Sequence, residues 1–133
     1  MPDVPPEVLD RLRAICGALP ETYEESAWIG VRWRVRKRTF AHVYTVDEES
    51  TTVLRDSFAI DGELTALTFR AAGDELLALR EEGPPFYYPG WGRDVMGLRV
   101  DDATDWDEVA ELITDSFCVM APRKLAARVR DVG

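Results

Sequence analysis

The chain has 133 residues and a mass of 15.0 kDa, with 46% hydrophobic and 31% charged residues and a formal net charge of -9. This length allows one domain but not two, and no apolar run approaches the roughly 18 residues that a membrane-spanning helix needs. The sequence begins Met-Pro-Asp-Val-Pro-Pro, without the basic and apolar segments of a signal peptide, so we predict one cytoplasmic domain over residues 1–133 that does not bind membranes.

The first predicted element is a helix near the N-terminus. Pro5 and Pro6 suit its first turn, and Pro20 ends it. Its apolar residues recur at helical spacing, which predicts one buried face: Val8, Leu9, Leu12, Ile15, Cys16 and Leu19.

A β-hairpin is predicted next, with strands at 27–35 and 39–46 and a tight turn at 36–38. Within Val-Arg-Trp-Arg-Val-Arg the strand period turns Val31, Trp33 and Val35 to one face and Arg32, Arg34 and Arg36 to the other. The hairpin therefore has one core face and one cationic face. Hairpin turns usually need Gly or Asn at positive φ, so a turn made of Arg and Lys costs about 1 kcal/mol per strained residue.

The remaining pattern predicts alternating strands and helices. The elements are a short strand at 51–55, strands at 64–70, 86–88 and 95–100, a helix capped by Asp74 and ended by Gly83, a helix at 106–120 capped by Thr104 or Asp105, and a basic helix after Pro122. Together they predict an α+β fold with an N-terminal helix, an antiparallel sheet of about five strands, helices packed on one face, and C-terminal helices.

Positive charge is concentrated in two segments of this acidic chain. Five of the 16 basic residues lie between Arg32 and Arg38, and four more are Arg123, Lys124, Arg128 and Arg130. Two interpretations stay open. The cations can contact nucleic-acid phosphates, or they can face acidic side chains across the sheet, where each pair contributes roughly 0.2–1 kcal/mol.

Several segments resemble the MmcQ/YjbR family between about residues 8 and 129. They are the helix ending in Ala-Leu-Pro, Trp28 and Gly30, Trp-Arg-Val at 33–35, Thr-Phe-Ala at 39–41, Pro-Gly-Trp-Gly at 89–92, and Val-Met-Ala-Pro-Arg-Lys-Leu at 119–125. The resemblance implies helices flanking an antiparallel sheet, and DNA binding through hairpins that act as a double wing.

The chain departs from this family pattern at the hairpin. Arg-Lys-Arg stands at 36–38, where many members have a Gly-containing tip, and Val-Arg stands at 31–32, where many have His-Pro. The segment 47–63 is also longer and more acidic. These changes make the hairpin more cationic while adding negative charge nearby, so DNA and a protein both stay open as partners. If DNA is the partner, we expect its phosphates to be contacted by a basic set of residues: Arg32, Arg34, Arg36, Lys37, Arg38, Arg123 and Lys124.

Catalysis has little support in the sequence. His42 is the single histidine and is predicted to share a strand face with Phe40 and Tyr44. Cys16 and Cys118 lie in predicted apolar helix faces, which favours two reduced thiols over a disulfide. Neighbouring acids such as those at 24–25 and 101–102 are expected in a chain with 25 acidic residues. We predict no enzymatic activity, no metal site and no cofactor.

The alternative function is a non-catalytic module that binds a protein partner or a small ligand. Many aromatic residues support it: Trp28, Trp33, Phe86, Tyr87, Tyr88 and Trp91. Those left exposed would form a docking patch or line a pocket between the strand at Phe86 and the basic hairpin, whereas core packing is the simpler explanation.

Overall fold

The computed structural model describes residues 2–58 and 61–132. In chain order, the elements within these residues are α1 Pro6–Gly17, β1 Thr22–Ser26, β2 Val31–Val35, β3 Arg38–Val46, α2 Val53–Ser57, β4 Leu64–Arg70, α3 Gly73–Glu82, β5 Phe86–Tyr87, β6 Val95–Val100, α4 Trp106–Met120 and α5 Arg123–Val132. None of these helices is both long and apolar enough to cross a bilayer.

The strands form one antiparallel sheet in the order β1-β2-β3-β4-β6-β5. The α+β prediction is confirmed, with six strands in place of about five. The sixth strand arises because the segment predicted as one strand at 27–35 is a turn followed by β2, and the preceding residues 22–26 form β1. Gly30 adopts a φ of 73° in that turn, which reverses the chain and pairs Ser26 with Val31.

The main core lies between one face of the sheet and the helices. Trp33, Val35 and Val43 of the sheet are buried there with Leu12 of α1 and Ile113 of α4. The amphipathic patterns of α1 and α4 direct their apolar residues to this layer. The predicted helix layer is therefore confirmed.

The opposite face of the sheet has a smaller core. Here Tyr44 and Tyr87 share a buried hydroxyl hydrogen bond of 2.7 Å between their Oη atoms, and Leu54 of α2 covers part of the strands. The five-residue α2 is thus the exception to the one-sided helix layer. Much of this face is closed by side chains of the strands and loops.

A β-bulge in β3 changes the face of the sheet on which Phe40 lies. The register passes from Trp33 opposite Ala41 to Arg34 opposite Thr39, which leaves Phe40 as the extra residue. Phe40 packs edge-to-face on Phe117 of α4, with ring centroids 5.5 Å apart. The prediction that Phe40 and His42 share a face is therefore wrong, because a bulge interrupts the period of two.

Ser116 of α4 binds the backbone beside this bulge. Its fully buried hydroxyl donates to the Phe40 carbonyl at 2.5 Å and accepts from the Arg70 amide at 2.7 Å. A buried backbone group without a partner costs about 1–3 kcal/mol, so the serine ties α4 to both β3 and β4 while keeping their polar groups satisfied.

Of the predicted caps and the strand predicted at 51–55, the Asp105 cap is confirmed and the other predictions are wrong. Asp105 caps α4 by accepting from the amides of Asp107 and Glu108, at 3.0 and 3.2 Å, as one of the two predicted caps. Asp74 does not cap α3. The helix begins at Gly73, one residue before Asp74, and Ala72 occupies the cap position. The strand predicted at 51–55 is wrong, because Thr52 caps the short helix α2 there.

Gly30 provides a test of this fold. A Cβ atom at Gly30 would lie 1.9 Å from the Val43 carbonyl oxygen, at a backbone φ of 73° that disfavours other residues. We expect Gly30→Ala to lower the free energy of unfolding by about 2–4 kcal/mol in denaturant titrations. Gly17→Ala is the matched control, since its Cβ would meet no atom within 4 Å. Equal effects of the two substitutions would contradict the close approach at Gly30.

Candidate functional site

The hairpin between β2 and β3 ends in a turn of two cationic residues. Arg36 and Lys37 have φ values of 49° and 65°, and Arg38 already belongs to β3, so the turn is one residue shorter than predicted. Among the described residues, the other non-glycine residue with positive φ is Glu21, which pairs with Arg36. The strained backbone expected for this turn is therefore present, and it is concentrated at the hairpin end.

The three residues Arg36, Lys37 and Arg38 form what we call the hairpin tip, and all three are exposed. Arg36 lies 3.0 Å from a Glu21 carboxylate oxygen, and an exposed pair of this kind contributes little to stability. The Arg38 guanidinium lies 3.5 Å from the Met120 carbonyl oxygen. In the described chain no carboxylate pairs with Lys37 or Arg38, so the tip carries an excess of positive charge.

Arg123 and Lys124 are exposed in the first turn of α5, where no acidic residue is present. The contact of Arg38 with Met120 brings the tip to the junction of α4 and α5, and Arg123 is three residues further on. Its backbone therefore lies within about 11 Å of Met120. Since a helix N-terminus is itself positive, this junction extends the cationic surface of the tip.

Arg32 and Arg34 lie further back on β2 and are held by one acid. The Oε1 atom of Glu25 on β1 accepts from Arg32 Nε at 2.6 Å and from Arg34 Nη1 at 3.0 Å. Partial desolvation alone would raise the pKa of Glu25, but hydrogen bonds from Arg34 and Arg32 outweigh it and lower that pKa. Glu25 is therefore charged at neutral pH, and it neutralises one of the two arginines.

The seven predicted phosphate-binding residues thus fall into two groups. The first is the hairpin tip with Arg123 and Lys124, which are exposed. The second is Arg32 and Arg34, which are half-buried and paired with Glu25. The interpretation that the cations face acids across the sheet therefore holds for Arg32 and Arg34. Sequence reasoning did not identify Glu25 as their partner, because the strand that carries it, β1, was not predicted.

Beside the base of the hairpin, the second sheet face contains a cavity of about 200 Å³ that we call the Trp cleft. Arg32 and His42, which are opposite each other in register, form one side. The side chains that matter for its chemistry are Trp28, Arg32, His42, Thr68, Arg70 and Trp91. Trp28 is 78% exposed and Trp91 44% exposed, and their ring centroids are 6.4 Å apart.

Two of the six aromatic residues singled out in the sequence therefore line a pocket. Trp33, Phe86 and Tyr87 are buried in the core, and Tyr88 is half-buried under the guanidinium of Arg80. Arg70 and Thr68 were missed because they lie on β4, and no local sequence signal connects that strand to Trp28.

His42 is buried under Trp91 and is neutral at neutral pH. Its Nε2 lies 2.5 Å from the Ile29 carbonyl oxygen, and burial lowers the pKa of the imidazole. The donor to that carbonyl must be Nε2, which leaves Nδ1 as an acceptor. No carboxylate of the described chain pairs with the ring, so the arrangement provides no oriented base.

The two cysteines do not form a disulfide. Cys16 and Cys118 are free thiols, and burial strongly raises the pKa of Cys16, which therefore stays protonated. Over residues 2–58 and 61–132, no three His, Cys, Asp or Glu side chains are grouped in a way that could hold a metal ion.

Comparison with known proteins identifies one family. A family model described as YjbR matches residues 17–119, which include both the basic hairpin and the Trp cleft. No curated protein matches the chain significantly.

The strain in the hairpin turn can be measured at Lys37. Glycine adopts positive φ without a Cβ penalty, so Lys37→Gly should raise the free energy of unfolding by about 1 kcal/mol. Lys37→Ala removes the same charge but keeps a Cβ atom, and should change that free energy by less than about 0.5 kcal/mol. Equal denaturant midpoints for the two variants would contradict a strained turn.

Proposed function

The chain belongs to the YjbR family, and from this premise we propose that it is a DNA-binding protein whose basic hairpin, Arg32 to Arg38, contacts phosphates. The observation that carries the proposal is the exposed cationic tip on a strained turn. Strain of this kind persists where other requirements outweigh local stability. Replacing the turn with Asn-Gly would relieve it but would also remove two of the cations.

The arrangement of charge supports contact at the tip. Arg36, Lys37 and Arg38 are exposed beside the junction that leads into Arg123 and Lys124, and among the described residues Glu21 is the carboxylate that pairs with this group. Arg and Lys bind phosphates without requiring a particular base sequence. We infer that this surface binds the DNA backbone, while Arg32 and Arg34 contribute when Glu25 is displaced.

The net charge of -9 opposes binding at long range, but distance weakens its effect. The acidic residues Asp101, Asp102 and Asp105 precede α4, whose 15 residues separate them from Met120 by about 22 Å. Charges are screened over about 8 Å at physiological ionic strength. Repulsion from that end of the molecule is therefore weak at the tip, and contact with about four phosphates gives a slope of log affinity against log salt of roughly -3 to -4.

A small-ligand module is the second candidate, and the Trp cleft is the observation that favours it. Its volume of about 200 Å³ is below the roughly 300–1,000 Å³ of typical small-molecule sites. Because His42 has no acid partner in the described structure, we propose a binding role for this cleft and no catalytic role.

Charge removal at the tip tests DNA binding directly. Arg36→Gln with Lys37→Gln should weaken binding of a short DNA at low salt and reduce the magnitude of the salt slope by about two, since each lost phosphate contact removes about one. Fluorescence anisotropy of a labelled oligonucleotide measures both quantities.

The matched control removes two other exposed cations. Arg11 lies over Trp106 at the start of α4, and Arg80 lies over Tyr88. Arg11→Gln with Arg80→Gln changes the net charge equally but should leave the salt slope unchanged. If both double variants bind alike, the tip is not the DNA-contacting surface, and absence of wild-type binding at low salt would exclude the proposed function.

Removing the charge of Glu25 tests the proposal through an expected gain of DNA affinity. Glu25→Gln should release Arg32 and Arg34, tighten DNA binding and make the salt slope steeper by about one. Glu24→Gln is the adjacent control, because Glu24 pairs with Arg13 of α1 at 2.9 Å and has no contact with the hairpin cations. Equal affinities of the two variants would show that Glu25 does not restrain the hairpin.

A further inference from the structure

We propose that the Trp cleft binds one unpaired nucleobase of a strand whose phosphates lie on the basic hairpin, so that the protein prefers single-stranded DNA to an intact duplex. This inference rests on the DNA-binding function proposed above. It adds a second site at the opposite end of β2 from the tip, and a substrate class that neither the family match nor the cationic tip specifies.

The two tryptophans differ in a way that suits stacking. Trp91 is fixed by ring contacts on one side, with centroid distances of 5.5 Å to His42 and 5.2 Å to Tyr44. Trp28 touches Trp91 at an interplanar angle of 59° and is otherwise 78% exposed. An indole can bury about 150–250 Å², so Trp28 has a large apolar face available to a planar ring.

The volume of the Trp cleft limits its ligand to the size of a small planar group. About 200 Å³ is too little to enclose a drug-sized ligand, but it accommodates a single aromatic base. Aromatic side chains on a strand-binding surface stack on bases of any sequence. The cleft is therefore suited to a base that is already out of its stack.

The polar groups of the cleft are suited to an uncharged ring. His42 is neutral, and the two guanidiniums are each paired, Arg32 with Glu25 and Arg70 with Asp94 at 2.8 Å. These groups offer hydrogen bonds to the edge of a base. Because Glu25 is shared with Arg34, some positive charge remains beside the cleft, but in the described chain Lys37 and Arg38 have no carboxylate partner, so the hairpin tip is the more cationic of the two places and the better one for phosphates.

The spacing of the two sites fits one strand of DNA. Arg32 at the cleft and Lys37 at the tip are five residues apart along the hairpin, so they are separated by at most about 16 Å, the length of five fully extended residues. A stacked strand rises about 3.4 Å per nucleotide along its axis, so roughly five nucleotides cover this distance, and fewer do when the strand is extended. In a duplex the bases are stacked and paired, and reaching the cleft would require flipping one out.

The test compares three probes of equal length, about 12 nucleotides, which exceeds the span of the two sites. They are single-stranded oligo(dT), its duplex with oligo(dA), and an abasic oligomer that keeps the phosphates but has no bases. Anisotropy gives the affinities, and quenching of tryptophan fluorescence reports stacking. The wild type should bind oligo(dT) about tenfold or more tightly than either other probe, since one stacked base contributes that much.

Trp28→Ala should lower oligo(dT) affinity about tenfold and remove most of the quenching, while binding of the abasic oligomer stays unchanged. Because Trp28 is 78% exposed, this variant should fold, and Leu77→Ala on α3 is a control for loss of an exposed apolar side chain at 59% exposure. Trp91→Leu is a second variant with the same expected loss.

The outcomes separate this inference from the function on which it rests. Equal affinity for oligo(dT) and the abasic oligomer, unchanged by Trp28→Ala but reduced by the tip variant, would overturn base binding and leave phosphate binding by the hairpin intact. No binding of any oligomer at low salt would overturn both. Equal quenching by thymidine monophosphate and oligo(dT) at the same concentration would identify a free small-ligand site and overturn the strand proposal.

Discussion

The helices cover one face of the sheet almost exclusively, and this constraint determines the chemistry of the other face. α1, α3, α4 and α5 contribute apolar residues to the main core, whereas the five-residue α2 is the helix that packs on the second face. A sheet face without a continuous helix layer must be closed by its own side chains and loops. Here aromatic contacts close the centre, ion pairs close the β1–β2 edge, and a cleft remains between them.

This arrangement makes the two ends of β2 differ in net positive charge. At one end, the arginines that border the Trp cleft, Arg32 and Arg70, are paired with Glu25 and Asp94, although Glu25 is shared with Arg34. At the other end, Arg36, Lys37 and Arg38 project from a turn with one acid nearby. Because screening limits each charge to about 8 Å, ends that are up to about 16 Å apart present different potentials to a ligand. The proposed binding of a base and of its phosphates at separate places requires such a difference in a chain that is acidic overall.

Local patterns were sufficient for much of the scaffold. The strands at 64–70 and 95–100, the helix at 106–120 with its Asp105 cap, and the two-faced Val-Arg-Trp-Arg-Val segment follow from periodicity and capping chemistry. The errors arose where tertiary contacts override those patterns. The bulge at Phe40 is stabilised by Ser116, which is 76 residues away in sequence, and the second face supplies a buried site for Leu54 that makes α2 helical.

Only one half of the candidate site could be predicted from the sequence, because the other half depends on tertiary contacts. The basic hairpin is a local feature, whereas the Trp cleft brings together residues from the β1–β2 turn, β3, β4 and the loop before β6. Two departures from ordinary local preference mark these two places: cationic residues at positive φ in a hairpin turn, and an indole that is 78% exposed. Sequences usually agree with the fold at every level except where function requires otherwise. The two exceptions lie at opposite ends of β2, and this closeness along one strand is the physical reason for treating the hairpin and the cleft as parts of one proposed binding surface.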